Sequence, residues 1–156
     1  LTEKDPNSPI AQQPKNLISM GDFKKLIVWQ KAHDLTIMIY ELTKKLPKDE
    51  QYGLKSQIRR AAVSCESNIA EGETRFTDPA KINFFVDARS SAAEVQSQLM
   101  IIRDVYPKLS REAEFLLKEY ESLAKQLNSL ISFRRKGNGN IKSRNLIAQK
   151  PKNLMT

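Results

Sequence analysis

An all-α, antiparallel up-down-up-down four-helix bundle is the fold this sequence predicts, and three observations predict it. Apolar residues recur at intervals of three and four through four long stretches between Asp22 and Arg134. No stretch shows the apolar/polar alternation of a half-buried strand. The connections are short and marked by Pro47, Gly72 and Pro107, so successive helices must double back on one another. In order, the first helix runs from Asp22 with Val28, Ala32, Leu35, Ile39, Leu42 and Leu46 facing the core, and Pro47 ends it. Its length of about 25 residues corresponds to roughly 37 Å. The second begins near Asp49 to Gln51 and carries Leu54, Ile58, Ala61, Cys65 and Ile69, with Gly72 expected as its C-terminal cap. The third takes Thr77 or Asp78 as N-cap and Pro79 in its first turn, then Phe85, Ala88, Ala92, Val95, Leu99 and Ile102. The fourth is expected to be capped by Ser110, with Ala113, Leu116, Tyr120, Leu123, Leu127, Leu130 and Ile131 inward and its end near Arg134.

The two ends read differently. Residues 1–19 hold Pro6, Pro9 and Pro14 among Asn, Gln and Ser, and Gly137-Asn138-Gly139-Asn140 interrupts the chain after Lys136. The expected division is therefore a disordered extension at 1–19, the bundle at 20–135 and a basic disordered tail at 136–156. Charge follows the same division: residues 1–19 are neutral, 20–133 carry +1 and 134–156 carry +7. The tail attracts phosphate through Arg134, Arg135, Lys136, Lys142 and Arg144 without implying that it reads sequence. The segments 10–19 and 147–156 agree at seven of ten positions. Translation beginning at Met20 would make that repeat a trace of duplicated flanking DNA; the functional alternative is a paired docking motif.

Composition excludes several classes. A chain of 156 residues can bury an adequate core without staples, and its lone Cys65 permits no intramolecular disulfide. The reducing cytoplasm fits best. With His33 as the only histidine, Cys₂His₂ zinc sites and the paired Glu-x-x-His sites of di-iron bundles cannot be built, so no metal or cofactor is expected. The longest apolar runs, Leu26 to Trp29 and Leu99 to Ile102, are four residues, far below the roughly 20 that span a bilayer. None of the five glycines lies in a phosphate-cradling motif. Cys65 lies on the apolar stripe of the second helix, where a thiol acts as a small hydrophobe rather than a nucleophile. Nothing nominates an enzyme.

What remains is surface. Leu26, Trp29, His33, Ile37 and Tyr40 fall at i, i+3, i+7, i+11 and i+14, on a face almost opposite the first helix's core stripe. Ser90, Ala93, Ser97 and Ile101 repeat the pattern on the third helix with small residues that allow another helix to approach. Such faces mark interfaces, and a second copy of the chain is the economical partner; a folded-back tail, or bases stacked on Trp29 and Tyr40, are the alternatives. In the second helix, Asn68 sits among apolar residues and must find hydrogen-bond partners, fixing helix register or the turn after Gly72. Arg59 and Arg60 lie about 100° apart, the first with Lys55 and Glu66, the second with Ser64 and Glu71. Two readings stay open: Arg–Glu pairs within or between subunits, or phosphate contact by Lys55, Arg59, Arg60 and Arg75.

The run from Gln57 to Gly72, QIRRAAVSCESNIAEG, followed by Arg75, resembles the signature of the bacterial four-helix bundle proteins. These include proteins encoded in 23S rRNA intervening sequences, sometimes labelled ribosomal, and the accessory variability determinant of diversity-generating retroelements. Trp29-Gln-Lys-Ala-His-Asp-Leu35 is similar to the family's opening W-x-K-A-x-x-L, and Phe84 to Leu99, with Ser91, Ala92, Glu94 and Gln98, is similar to a further segment. Departures are Glu73-Thr74 in place of an aromatic-Gly pair and Ser90 in place of Gly. The resemblance covers Phe23 to Phe133 and makes Asn68, Glu71 and Gly72 members of the structural motif. It implies a homopentamer without catalytic chemistry, associated with rRNA or another nucleic acid, or with a reverse transcriptase. The alternative is an interaction scaffold that binds no nucleic acid.

Overall fold

A computed structural model describes residues 21–136 as four α-helices: α1 (Ile27–Lys44), α2 (Leu54–Glu73), α3 (Asp78–Val105) and α4 (Ser110–Arg135). Short 3-10 turns at Phe23–Lys25, Lys48–Glu50 and Pro107–Leu109 precede α1, α2 and α4. Each helix packs on its sequence neighbours, and α4 closes the ring against α1. The polar cross-links show the alternating directions. Lys45 at the end of α1 meets Glu112 at the start of α4 at 2.7 Å, and Ser64 of α2 shares a 2.9 Å hydrogen bond with Ser91 of α3. The structure is thus the up-down-up-down bundle that the spacing predicts. The extension at 1–19, Met20 and the tail from 137 onward, with the repeat they carry, lie outside the described residues.

The core is the predicted stripes. Leu35, Ile39, Ile58, Ile69, Phe85, Val95, Leu99, Leu123 and Leu127 are fully buried, while Leu54 and Leu130 pack only partly against the rest. Polar groups are drawn in where a local acceptor exists. Thr36 and Thr43 donate to Ala32 O and Ile39 O at 2.8 and 2.7 Å, each one turn back in the same helix.

Four boundaries depart from the expectation. The chain is extended at Leu26 (φ −70°, ψ 124°), so the first helix begins at Ile27 and has 18 residues, about 27 Å rather than 37 Å. That bend turns Leu26 inward, where it is 5% exposed. The second helix starts at Leu54 because the 3-10 turn at Lys48–Glu50 spends the residues after Pro47. Gly72 is not a C-cap: α2 continues to Glu73, and Thr74 ends it in an ordinary right-handed conformation. Ser110 is already helical, and the N-cap position falls to Leu109 with no side-chain hydrogen bond, because the 3-10 turn feeds directly into α4. Thr77 does cap α3, accepting from Ala80 N at 3.4 Å.

Candidate functional site

Gly72 has a packing role instead. A Cβ there would lie 2.8 Å from Phe84 Cβ and 2.9 Å from the Phe85 ring, so only glycine lets the end of α2 sit this close to α3. The next residue, Glu73, then points into the gap between α2, α3 and α4. Its carboxylate accepts from Arg134 Nη2 at 3.1 Å and lies 3.3 Å from Lys81 Nζ. Lys81 also donates to Glu73 O at 2.7 Å, and Arg134 Nη1 reaches Asp78 at 3.3 Å. A Cβ on Gly21 would run into the same carboxylate, so the incoming chain packs against it. One buried carboxylate therefore gathers the start of the bundle, the α2–α3 turn and the end of α4.

That arrangement re-sorts the basic residues. Arg134, assigned to the tail by sequence, is held inside the bundle with its side chain 19% exposed, because Glu73 and Asp78 need a counter-charge. Arg135 and Lys136 are exposed just beyond it, as are Lys24 and Lys25, and among the described residues none of these four makes an ion pair. Arg75 pairs with Glu71 and lies over the Phe84 ring at 4.4 Å. At the far end of α2, Arg59 donates Nε to Thr43 Oγ1 at 2.7 Å and Nη2 to Tyr40 O at 3.2 Å, its guanidinium 4.5 Å from the centre of the Tyr40 ring. Arg59 is thus a strut between α1 and α2 and, among the described residues, pairs with no carboxylate; Glu66 is taken by His33 Nδ1 at 2.8 Å. Lys55 is half-buried and Arg60 exposed, neither with an ion pair among the described residues. Arg59 and Arg60 lie in the first turns of α2 and Arg75 just beyond its end. Lys142 and Arg144 lie outside the described residues.

The second faces are present with changed membership. On α1, Trp29 stacks on His33 at 5.1 Å and 14° and meets the edge of Phe23 at 5.1 Å, while Ile37 is 53% and Tyr40 38% exposed. Leu26 leaves this set for the core. On α3, Ser90, Ala93 and Ser97 are exposed, and Ile101 is joined by Met100 and Val105, all at least 42% exposed. Asn68 finds its partners one turn back, donating to Ser64 O at 2.9 Å and Ser64 Oγ at 3.2 Å. Both bonds stay within α2, and the hydroxyl that Asn68 contacts is the one that crosses to Ser91 of α3 at 2.9 Å.

Burial pushes the Cys65 thiol up to about 12, so it stays protonated. At the opposite end, a shallow depression lies beside Arg103 and Phe115. Arg103 is spent there on Asp104 at 2.8 Å and Glu114 at 3.1 Å, and holds the Asp104 carboxyl below the usual carboxylate range. Sequence reasoning missed Glu73 and Phe76. Glu73 was visible in principle, because it continues Cys65 and Ile69 at four-residue steps and so must point inward. Phe76 belongs to no stripe, and only the loop geometry shows it 90% exposed.

No curated protein matches the chain. A solved structure from Bacteroides thetaiotaomicron, a protein of unknown function from the S23 ribosomal protein family, has the same fold. Its TM-score is 0.62 at 23% identity, and the match covers 67% of this chain and 98% of that one. The 23S rRNA-intervening sequence protein family matches residues 24–129, the stretch that holds the whole helical ring apart from its first turn and the end of α4. The chain is therefore a member of the 23S rRNA-intervening sequence protein family.

Proposed function

We propose that this protein is a non-catalytic, self-assembling bundle that associates with nucleic acid, structured RNA above all, through the end of the bundle where the basic tail leaves. The observation that carries the reading is the sorting of cations. Of the acidic residues at that end, Glu71, Glu73 and Asp78 are each matched by Arg75, Lys81 or Arg134, and Asp22 caps the turn before α1 by accepting from Lys24 N at 3.2 Å. Lys24, Lys25, Arg135 and Lys136 stay exposed beside the start of a tail with no acidic residue. Unpaired cations attract a phosphate backbone whatever its sequence, and their contribution falls steeply with salt. The family's link to 23S rRNA makes RNA the nucleic acid to try first, with a reverse transcriptase as the proposed protein partner in a retroelement setting. The exposed α1 and α3 faces support self-association, a homopentamer by the family resemblance, which would cluster the tails.

The test is a titration of a fluorescein-labelled structured RNA at low and moderate salt, with the full chain and with a chain ending at Lys136. The reading expects a steep salt dependence and a large loss on truncation. Equal binding after truncation would sink the role of the tail. A second reading, an interaction scaffold without nucleic acid, is favoured by the apolar outer face of α3, and full-chain indifference to RNA at low salt would establish it.

A further inference from the structure

Phe76 is the most exposed aromatic at the tail-bearing end of the molecule, at 90%. The turn that carries it is held on both sides. Thr74 Oγ1 donates to Glu71 O at 2.7 Å, Arg75 is clamped between Glu71 and the Phe84 ring, and Thr77 caps α3. Two residues on, Asp78 is bonded to Arg134, which is followed directly by exposed Arg135 and Lys136. The chain thus presents an apolar ring on a fixed turn, at the same end of the bundle as Arg135 and Lys136, two exposed cations that make no ion pair among the described residues.

We propose that Phe76 is a stacking platform for an unpaired nucleobase and that Arg135 and Lys136, at the same end of the bundle, hold neighbouring phosphates, making single-stranded nucleic acid the preferred ligand of this end. The inference rests on the nucleic-acid reading above and deepens it. A base has a π-face whatever its identity, so stacking tolerates sequence, and it requires the base to be out of a duplex. The cations supply the complementary charge for the backbone. A turn already held by Glu71, Phe84 and Thr77 has little freedom left to lose on binding.

The experiment compares fluorescence anisotropy of a labelled 12-nucleotide single-stranded RNA with a blunt duplex of the same sequence, using the full chain, Phe76→Ala and Phe76→Trp. The expected result is that the wild-type chain prefers the single strand and Phe76→Ala loses roughly tenfold on it, the factor of one lost base stack. Duplex binding should be unchanged and Phe76→Trp should retain single-strand affinity. Because Phe76 touches solvent, the thermal melt of Phe76→Ala should match wild type, which separates stacking from folding. If the single strand binds and Phe76→Ala is as good as wild type, or weakens strand and duplex equally, the platform is overturned while the nucleic-acid reading stands. If the wild-type chain binds neither probe at low salt, the reading beneath it falls.

Discussion

Cys65 shows how far a single position's chemistry depends on what surrounds it. The sequence put it on an apolar stripe, and complete burial raises its thiol to about 12. Tyr120 is shifted in the same direction by the same cause, burial. In the unfolded chain a thiol ionises near 8.5, so as pH rises from about 9 toward 12 the unfolded state sheds a proton that the folded state keeps, and stability falls. Urea midpoints measured from pH 7 to 10.5 should hold steady and then decline, with Cys65→Ala flattening the first part of the decline. Native Cys65 should resist iodoacetamide at pH 8 and react once the chain is unfolded. At Gly72 two effects compete. Alanine favours a helix over glycine by about 1 kcal/mol, whereas overpacking a tight contact costs about 1–3 kcal/mol. The nearest atom is Phe84 Cβ, which is fixed to its backbone and cannot swing aside. Gly72→Ala should therefore lower the urea midpoint despite its helix propensity.

The helices owe their positions to a few polar joints as well as to their stripes. Glu73 joins three of them, and Lys81 and Arg134 are both largely withdrawn from water. Removing one partner of a buried ion pair leaves an uncompensated charge, at a cost of about 3–5 kcal/mol. Glu73→Gln is expected to destabilise the bundle by that order in urea unfolding and to raise amide exchange first at the α2–α3 turn and the end of α4. A change under 1 kcal/mol would mean that the joint is solvated and dispensable. The stripes of all four helices were legible because a 3.6-residue period leaves little choice of inward face. Ser110 and Gly72 were misread because capping residues were judged without knowing the 3-10 turn before α4 or the Phe84 and Phe85 side chains that crowd α2.

Assembly is a property of faces that one chain leaves uncovered. Ala93 lies near the middle of the outward face of α3 and Ile101 toward its end, both exposed to solvent. If that face is the subunit interface, Ala93→Asp should reduce the mass found by light scattering after size exclusion while circular dichroism stays helical. An unchanged mass would move the interface to α1 around Ile37 and Tyr40, or remove it.

The four-helix class, the core stripes and the separation of a nearly neutral bundle from a basic end follow from periodicity and composition, which act along the chain and need no knowledge of neighbours. The fates of Arg134, Arg59 and Leu26 do not. Arg134 became a counter-ion because Glu73 and Asp78, about 60 residues away in sequence, arrive at the same point. Arg59 turned to Tyr40 and Thr43 rather than to Glu66. Which cations stay available for a partner was decided by tertiary packing, because a charge withdrawn from water takes whichever opposite group the fold brings within reach.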